Sequence, residues 1–472
     1  MKKNFIKIGI SIGLLFTIFL LQAQERPLLT VKEMRKDINY YFNTLKQQHP
    51  NLYAYITPKQ MDSIKKQVLK RCSHPMSLLD FDYALAQTKK YVDGHTGIYT
   101  NELFALSARQ KANYFPCVTF KNDQIILDNA IVIDSINGIP SDQLAKEVDL
   151  LVSWENNPVF RQEKMNEYLS PVLYNIYHTE PPFICSRPNL PDTLVAPVSQ
   201  KKAKPPVPPR YTQAHLTNEY FIEDSIAVLC YNSSLIFQGY EQFFTSYTKE
   251  FFQQLKNHHI KYLFIDVSHN GGGSDLIHEY ILKYLKSQPY KYQSHTRAKK
   301  KGALKGYEEF YKHISGGKTL KELSQYEKWK IDRSTPWVEQ LWKPLIKHGK
   351  KEGTTVSQGN KKGFKGTVFV IMGPYTFSSA HSFCKTIKRG QIGFLVGEPS
   401  GQRSPFCGNL VLNKLPESGI TFYYPTSYNW EEPALPYKDG FLQPDVDYPI
   451  YGKVLGIEDY KKIIQLSKAL EE

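Results

Sequence analysis

Residues 366–383 read GTVFVIMGPYTFSSAHSF, and the fold follows from how this stretch changes character. GTVFVIM is apolar on both faces, as a strand buried inside a parallel sheet must be. Gly373 and Pro374 break the run, after which Phe377, Ala380, Phe383 and Cys384 recur at helical spacing. Two adjacent serines, Ser378 and Ser379, fall where the helix begins. The free N–H groups and dipole of a first helical turn favour negative charge there. A serine in that place either caps the helix or attacks a carbonyl.

The same grammar repeats upstream. IAVLCYN (226–232) reads as a strand, EQFFTSYTKEFFQQLKNHH (241–259) as an amphipathic helix through Phe244, Tyr247, Phe251 and Leu255, and KYLFIDV (261–267) as another doubly apolar strand. The turn SHNGGG and the helix SDLIHEYILKYL follow, and IGFLVGE (392–398) adds a strand after the serine helix. Continuous apolar strands alternating with helices predict an α/β domain around a largely parallel sheet. Ligands of such sheets gather beyond the carboxyl ends of the strands, where IDVSHNGGGSD and IMGPYTFSSAH both turn into helices. Gly271, Gly272 and Gly273 let the backbone turn N–H groups toward an oxyanion. Neither GxxxxGK nor GxGxxG is present to argue for phosphate.

The N-terminus has the order of a secretory signal, MKKNFIK, then IGISIGLLFTIFLL, then QAQER, with cleavage expected after Ala23 and a periplasmic or extracellular destination. Residues 24–108 read as a helical subdomain, residues 109–180 as a small mixed α/β module, and residues 181–210 as a proline-rich linker centred on PPVPP. Residues 211–472 read as the α/β domain, with a basic, aromatic insertion from about Gln288 to Gly363.

The formal charge of +15 falls to +12 once Lys2, Lys3 and Lys7 leave with the signal. The lysines are dispersed apart from Gln200–Arg210 and Arg297–Tyr307, two runs expected to be solvated linker or loop. No nucleic-acid partner is expected of an exported chain, and acidic cell-envelope material is the candidate neighbour. The six cysteines show neither CxxC pairs nor zinc-ligand spacing, so no structural metal is expected.

YLFIDVSHNGGGSD, GTVFVIMGPYTFSSAHSF, FLVGEPSGQRSPFCGN and DGFLQPDVDYPI, in that order over about Ile226 to Ile450, resemble the four blocks of the C-terminal-processing, or tail-specific, serine peptidases. HPNLYAY and VDGHTGIY resemble the helical region of the branch related to the tricorn core protease. The resemblance implies a Clp protease/crotonase-like β-β-α core without metal or organic cofactor, acting on unfolded or extended polypeptides. AIVIDSINGIPSDQLAKEV resembles the second half of a PDZ domain, which makes residues 109–180 PDZ-like. Matching the family's T-x-S-[SA] turn, Ser378 is the implied nucleophile, with the N–H of Ser379 and one from the glycine turn, Gly272, as oxyanion donors.

A serine hydroxyl needs a base. Many family members place a lysine where this chain has Arg403, which stays protonated and cannot serve. The tricorn-like branch uses a histidine, and His95 in Asp93-Gly94-His95-Thr96 matches it, with an ordinary pKa near working pH. His381, three residues after Ser378, is the rival base, its bland reading a half-exposed helix residue. Glu431, Glu432 or Asp93 could orient the histidine, Gly94 stands where the branch has serine, and Asp445 reads as structural. A catalytically inactive peptide- or envelope-binding protein on the same fold is the alternative function.

Overall fold

The structure is a computed structural model describing residues 27–128, 130–153, 155, 157–203, 216–235, 240–453 and 455–470. The expected leader, residues 1–23, and the PPVPP stretch lie outside the described residues. Among the described residues no helix is long and apolar enough to cross a membrane.

Four helices open the chain, Val31–Gln48, Pro58–Arg71, Leu78–Ala86 and Ala108–Ala112. Thr30 and Glu33 close a capping box on the first of these, which buries Met34, Ile38, Tyr41 and Leu45 along one stripe. The segment after the third helix passes through His95 into a two-residue strand, β1 (Gly97–Ile98).

A mixed module follows. Strands β2 (Val118–Lys121), β3 (Gln124–Leu127) and β4 (Ile131–Ile133) form an antiparallel sheet. A second sheet takes the order β6-β5-β7-β8 from β5 (Ser135–Ile136), β6 (Ile139–Pro140), β7 (Phe183–Arg187) and β8 (Leu190–Val195), with the helices Ser141–Leu150 and Pro158–Asn175 lying between β6 and β7 in the chain. Strands β7 and β8 thus occupy part of the span read as linker. Phe183, Cys185 and Val195 alternate inward and are buried, and that alternation outweighs the flanking prolines.

The expected parallel sheet is present. Its strands are β9 (Leu216–Phe221), β10 (Ile226–Tyr231), β11 (Tyr262–Asp266), β14 (Thr367–Met372), β15 (Phe394–Gly397) and β20 (Val446–Asp447), ordered β20-β15-β14-β11-β10-β9. All neighbours are parallel except β9, which runs antiparallel at the edge. Helices Tyr240–Asn257, Leu276–Leu282 and Ser378–Arg389 cover one face through Phe244, Ile277 and Phe383. Helix Ile457–Lys468 covers the other, Tyr460 and Ile463 packing on Phe264 and Phe369. Asp266 of β11 pairs with Ile371 of β14, so both strands end together and deliver the two turns to one edge.

Between β11 and β14 the chain builds the hairpin of β12 (Tyr290–Arg297) and β13 (Lys350–Ser357), and helices Lys300–Ile314, Gln325–Ser334 and Pro336–His348 share a small core around Tyr311, Trp342 and Leu345. After β15 come β16 (Phe406–Lys414), β17 (Thr421–Glu432), β18 (Tyr437–Lys438) and β19 (Phe441–Leu442). The long β17 pairs with β12, β16 and β1, joining the insertion and the N-terminal helices in one sheet.

The basic run Arg297–Tyr307 is not a solvated loop. Arg297 ends β12, and the rest leads into helix Lys300–Ile314, whose Gly302 approaches Gln48 so closely that a Cβ there would sit 2.2 Å from the Gln48 carbonyl oxygen. Lys299 Nζ donates to the Lys46 carbonyl at 2.6 Å, and Lys301 Nζ to Gln47 Oε1 at 3.0 Å. Cations at the carboxyl end of helix Val31–Gln48 meet its free carbonyls and the negative end of its dipole.

Candidate active site

Three loops meet beyond the ends of β11, β14 and β15. Thr376 is fully buried, its Oγ1 donating to the Val267 carbonyl at 3.0 Å and accepting from Gly373 N–H at 2.9 Å. Phe377 N–H donates to the Asn270 carbonyl at 3.1 Å, and Gly401 N–H to the Thr376 carbonyl at 3.2 Å. The threonine two residues before Ser378 therefore ties the serine turn to the glycine turn.

Ser378 occupies the first position of its helix with φ +51°, a left-handed conformation that costs a side-chain-bearing residue about 1–2 kcal/mol. It is not an N-cap. The cap position belongs to Phe377, and no side chain caps this helix. Ser378 is half-buried and Ser379 fully buried, so of the two hydroxyls that of Ser378 is open to a substrate. Beneath it lies Gly272 with φ +102°, where a Cβ would stand 2.5 Å from Ser378 Cβ and 3.1 Å from Ser379 N. Only a glycine lets the two turns come this close.

The hydrogen bonds around the turns are specific. Gly272 N–H donates to Asn270 Oδ1 at 2.9 Å, and Ser378 N–H to Gln402 Oε1 at 2.6 Å. Among the described residues the N–H groups of Gly271, Gly273 and Ser379 have no acceptor. The glycine turn therefore offers Gly271 or Gly273 as an oxyanion donor, and Gly272 supplies the close approach instead. Asn270 and Gln402 were missed in the sequence. An asparagine two residues before a turn's N–H is a recognisable side-chain-to-backbone motif, whereas nothing local marks Gln402.

His95 is buried, its N–H donating to Asp93 Oδ1 at 2.8 Å and its Nδ1 lacking a partner. Asp93 Oδ2 accepts from Thr96 Oγ1 at 2.7 Å and faces His49 Nε2 at 2.6 Å. His49 Nδ1 accepts from Asn51 N–H at 3.1 Å, which leaves Nε2 to donate to Asp93. Burial would raise the Asp93 carboxyl, but the His49 ring and the other hydrogen bonds outweigh it and hold it well below the usual carboxylate range. Burial lowers the His95 ring, with Asp93 opposing.

Glu155, absent from the sequence-derived candidates, is buried beside this loop and accepts the Gly94 N–H. A carboxylate oxygen of Asp93, one of Glu155 and a ring nitrogen of His95 lie within 4.8 Å of one another. Burial, then the Asp93 charge, push the Glu155 carboxyl up to about 8. Lys89 Nζ donates to the Gly94 carbonyl at 3.1 Å, and Arg403 lies close enough to act on Glu155, so cations already balance these acids. A cavity of about 270 Å³ lined by Asp93, Glu155, Arg403, Ser404 and Asp439 opens here.

The segment beside the histidine loop is fastened to the serine turn. Asn157 N–H donates to the Gly401 carbonyl at 3.2 Å, one residue before Gln402, and Phe160 packs on Tyr375 and Phe377 with ring centres 5.2 and 5.1 Å away. The Phe406 ring is 6.4 Å from that of His95 and 6.2 Å from that of His381. No hydrogen bond joins His95 to Ser378 among the described residues.

The remaining candidates are placed elsewhere. His381 is fully buried rather than half-exposed, its Nε2 2.8 Å from Ser404 Oγ, because the apolar stripe of its helix carries it inward. Burial and Lys385 hold its ring well below the ordinary value. Glu431 binds Lys385 and Arg389, the latter at 2.9 Å, and Glu432 lies 3.5 Å from His295; among the described residues neither has an interaction with His95. Arg403 lies over the Phe441 ring at 5.0 Å. Asp445 accepts from Lys388 at 2.6 Å and from Leu395 N–H at 2.8 Å, a structural tie of β15. All six cysteines are free, and only Cys117 is exposed.

The fold thus seats a half-buried, left-handed serine over a glycine turn at the end of a parallel sheet, an arrangement suited to attack on a carbonyl. Residues 239–431 match the model of peptidase family S41. Among solved structures, mature CPAF is similar at 14% identity, covering 93% of this chain and 97% of that one with a TM-score of 0.53. A CPAF point mutant gives 14% identity, 93% and 96% coverage and a TM-score of 0.51. The photosystem II D1 C-terminal processing protease follows at 10% identity, 92% and 96% coverage and a TM-score of 0.39. No curated protein sequence matches the chain.

Proposed function

We propose that the chain is an exported endopeptidase cleaving unfolded or extended polypeptides through an acyl-enzyme on Ser378, with His95 as general base. The observation that carries this is the Ser378 turn itself: a half-buried hydroxyl on a left-handed residue, in contact with Gly272 and beside the unbonded N–H of Ser379. Backbone strain of this kind persists where the surroundings enforce it, and it projects the hydroxyl away from the helix.

In this reading Ser378 Oγ adds to the scissile carbonyl carbon while its proton passes to His95. The N–H groups of Ser379 and the glycine turn hold the developing oxyanion, each contributing about 3–4 kcal/mol. Collapse breaks the C–N bond, and the amine leaves with the proton from His95. Water then adds to the ester, gives its proton to His95, and the released Ser378 recovers it. His95 is supplied by the loop that Asp93, His49 and Thr96 fix, and Asn157 fastens the adjoining module to the loop that holds Ser378. The leader-like residues 1–23 are what supports export.

The test is hydrolysis of casein and labelling by a fluorophosphonate. Wild type should do both, Ser378→Ala neither, and His95→Ala should lose most turnover. Undiminished labelling of Ser378→Ala would remove the assignment. The N-terminal mass of protein recovered outside the cytoplasm should begin after Ala23.

A further inference from the structure

We propose that Glu155 is the positioning carboxylate of His95, taking the place that the sequence offered to Glu431 or Glu432; this rests on the reading of Ser378 and His95 as nucleophile and base. A base that accepts the serine proton becomes an imidazolium, and a carboxylate on its far nitrogen orients the ring and balances that charge. Nδ1 of His95 is buried without a partner, so it lacks such a group unless one of the acids around it serves. Glu431 is held by Lys385 and Arg389, and Glu432 is an exposed side chain 3.5 Å from His295. Asp93 already binds the His95 N–H, Thr96 and His49, which makes it the clamp of the loop.

Glu155 remains. It is 1% exposed, one oxygen takes the Gly94 N–H, and the other has no hydrogen-bond partner among the described residues. Its carboxylate and a His95 ring nitrogen are within 4.8 Å. It also lies two residues before Asn157, whose bonds to Gly401 and Pro399 fasten this segment to the loop holding Ser378. The groups facing the pair are Asp93 and His49 from the histidine loop and helix end, Lys89 from the preceding turn, Arg403 from the loop after β15, Tyr55 from the loop after the first helix, Cys407 of β16 and Tyr428 of β17.

A carboxyl within 4.8 Å of a His95 ring nitrogen shares its titration with the ring, and the two behave as one unit. While Glu155 holds a proton against Nδ1, the imidazole proton stays on Nε2 and the ring cannot accept from Ser378. Loss of one proton from the pair frees Nε2. The acid limb of kcat/KM should therefore lie toward the raised Glu155 value of about 8. Removing the carboxyl leaves a buried His95 whose value lies below 6.5.

The experiment is the pH profile of casein hydrolysis by wild type, Glu155→Gln, Glu155→Asp, Glu431→Gln and His95→Ala. Glu155→Gln keeps an acceptor for Gly94 and should lower the plateau by about 10²–10⁴-fold, with the limb moved to lower pH. Glu155→Asp should restore part of the plateau with the limb in its wild-type place, and it carries the test should the glutamine variant not fold. Glu431→Gln should keep plateau and limb. A Glu155→Gln plateau within threefold of wild type, or a lowered plateau with an unmoved limb, overturns the inference while an inactive His95→Ala leaves the Ser–His reading standing. An active His95→Ala removes both.

Discussion

Two neighbouring glycines of one turn should respond oppositely to the same methyl group. At Gly272 an added Cβ would lie 2.5 Å from Ser378 Cβ, 3.0 Å from the Phe377 carbonyl oxygen and 3.1 Å from Ser379 N, on a backbone at φ +102°. None of these atoms is the far end of a flexible side chain, so the serine turn itself must move. Overpacking of that kind costs about 1–3 kcal/mol, and a side chain held in so sparsely populated a conformation costs about 1–3 kcal/mol more. Gly272→Ala should therefore lose about 2–6 kcal/mol of stability. It should also lose at least about a hundredfold in turnover, because the nucleophile and its oxyanion donors are displaced together. At Gly271 a Cβ meets nothing within 4 Å and no positive φ is required, and alanine keeps the N–H. Gly271→Ala should stay within about 1 kcal/mol of wild type and remain active. Urea unfolding followed by circular dichroism, with casein turnover on the same preparations, reads both quantities. Equal effects at the two positions would refute the argument from close approach.

Other variants test separate parts of the structure. Ser378→Gly and Ser378→Ala should both be inactive, yet glycine should unfold about 1 kcal/mol later because it relieves the left-handed backbone; equal midpoints would deny the strain. Glu431→Gln should lower stability by about 3–5 kcal/mol, since it leaves the buried Lys385 unpaired, and an unchanged melting temperature would contradict the burial of that pair. Asp82 is 1% exposed, and burial pushes its carboxyl from 3.8 up to about 7. Its contribution to stability is full below the unfolded value and is lost as pH rises through the folded one. Asp82→Asn should remove a decline of about 4 kcal/mol at most across that window, measured as melting temperature against pH.

The parallel sheet was legible because its strands are apolar on both faces and end in turns whose residues have few other uses. The turn that carries Ser378 was legible for the same reason: strand, breaker and helix are local signals. Glu155 was not, since it sits in no periodic pattern and becomes a neighbour of His95 only when the module's helices pack. The late glutamates misled because β17 runs Glu431 along the helix of Ser378, where Lys385 and Arg389 claim it. The lysines near residue 300 looked like a loop because a run of cations is ordinarily solvated, and the carbonyls at the end of helix Val31–Gln48 cannot be seen from sequence. The Gly272 N–H was mistaken for a free donor because Asn270 closes onto it.

The pairing of β1 with β17, Gly97 opposite Tyr423 and Ile98 opposite Phe422, has a consequence in time. His95 leaves the ribosome long before Ser378, and the strand that anchors its loop is made later than the serine. A growing chain thus carries both reactive groups before it can align them. Alignment of His95 with Ser378 therefore waits until the chain has been made through β17.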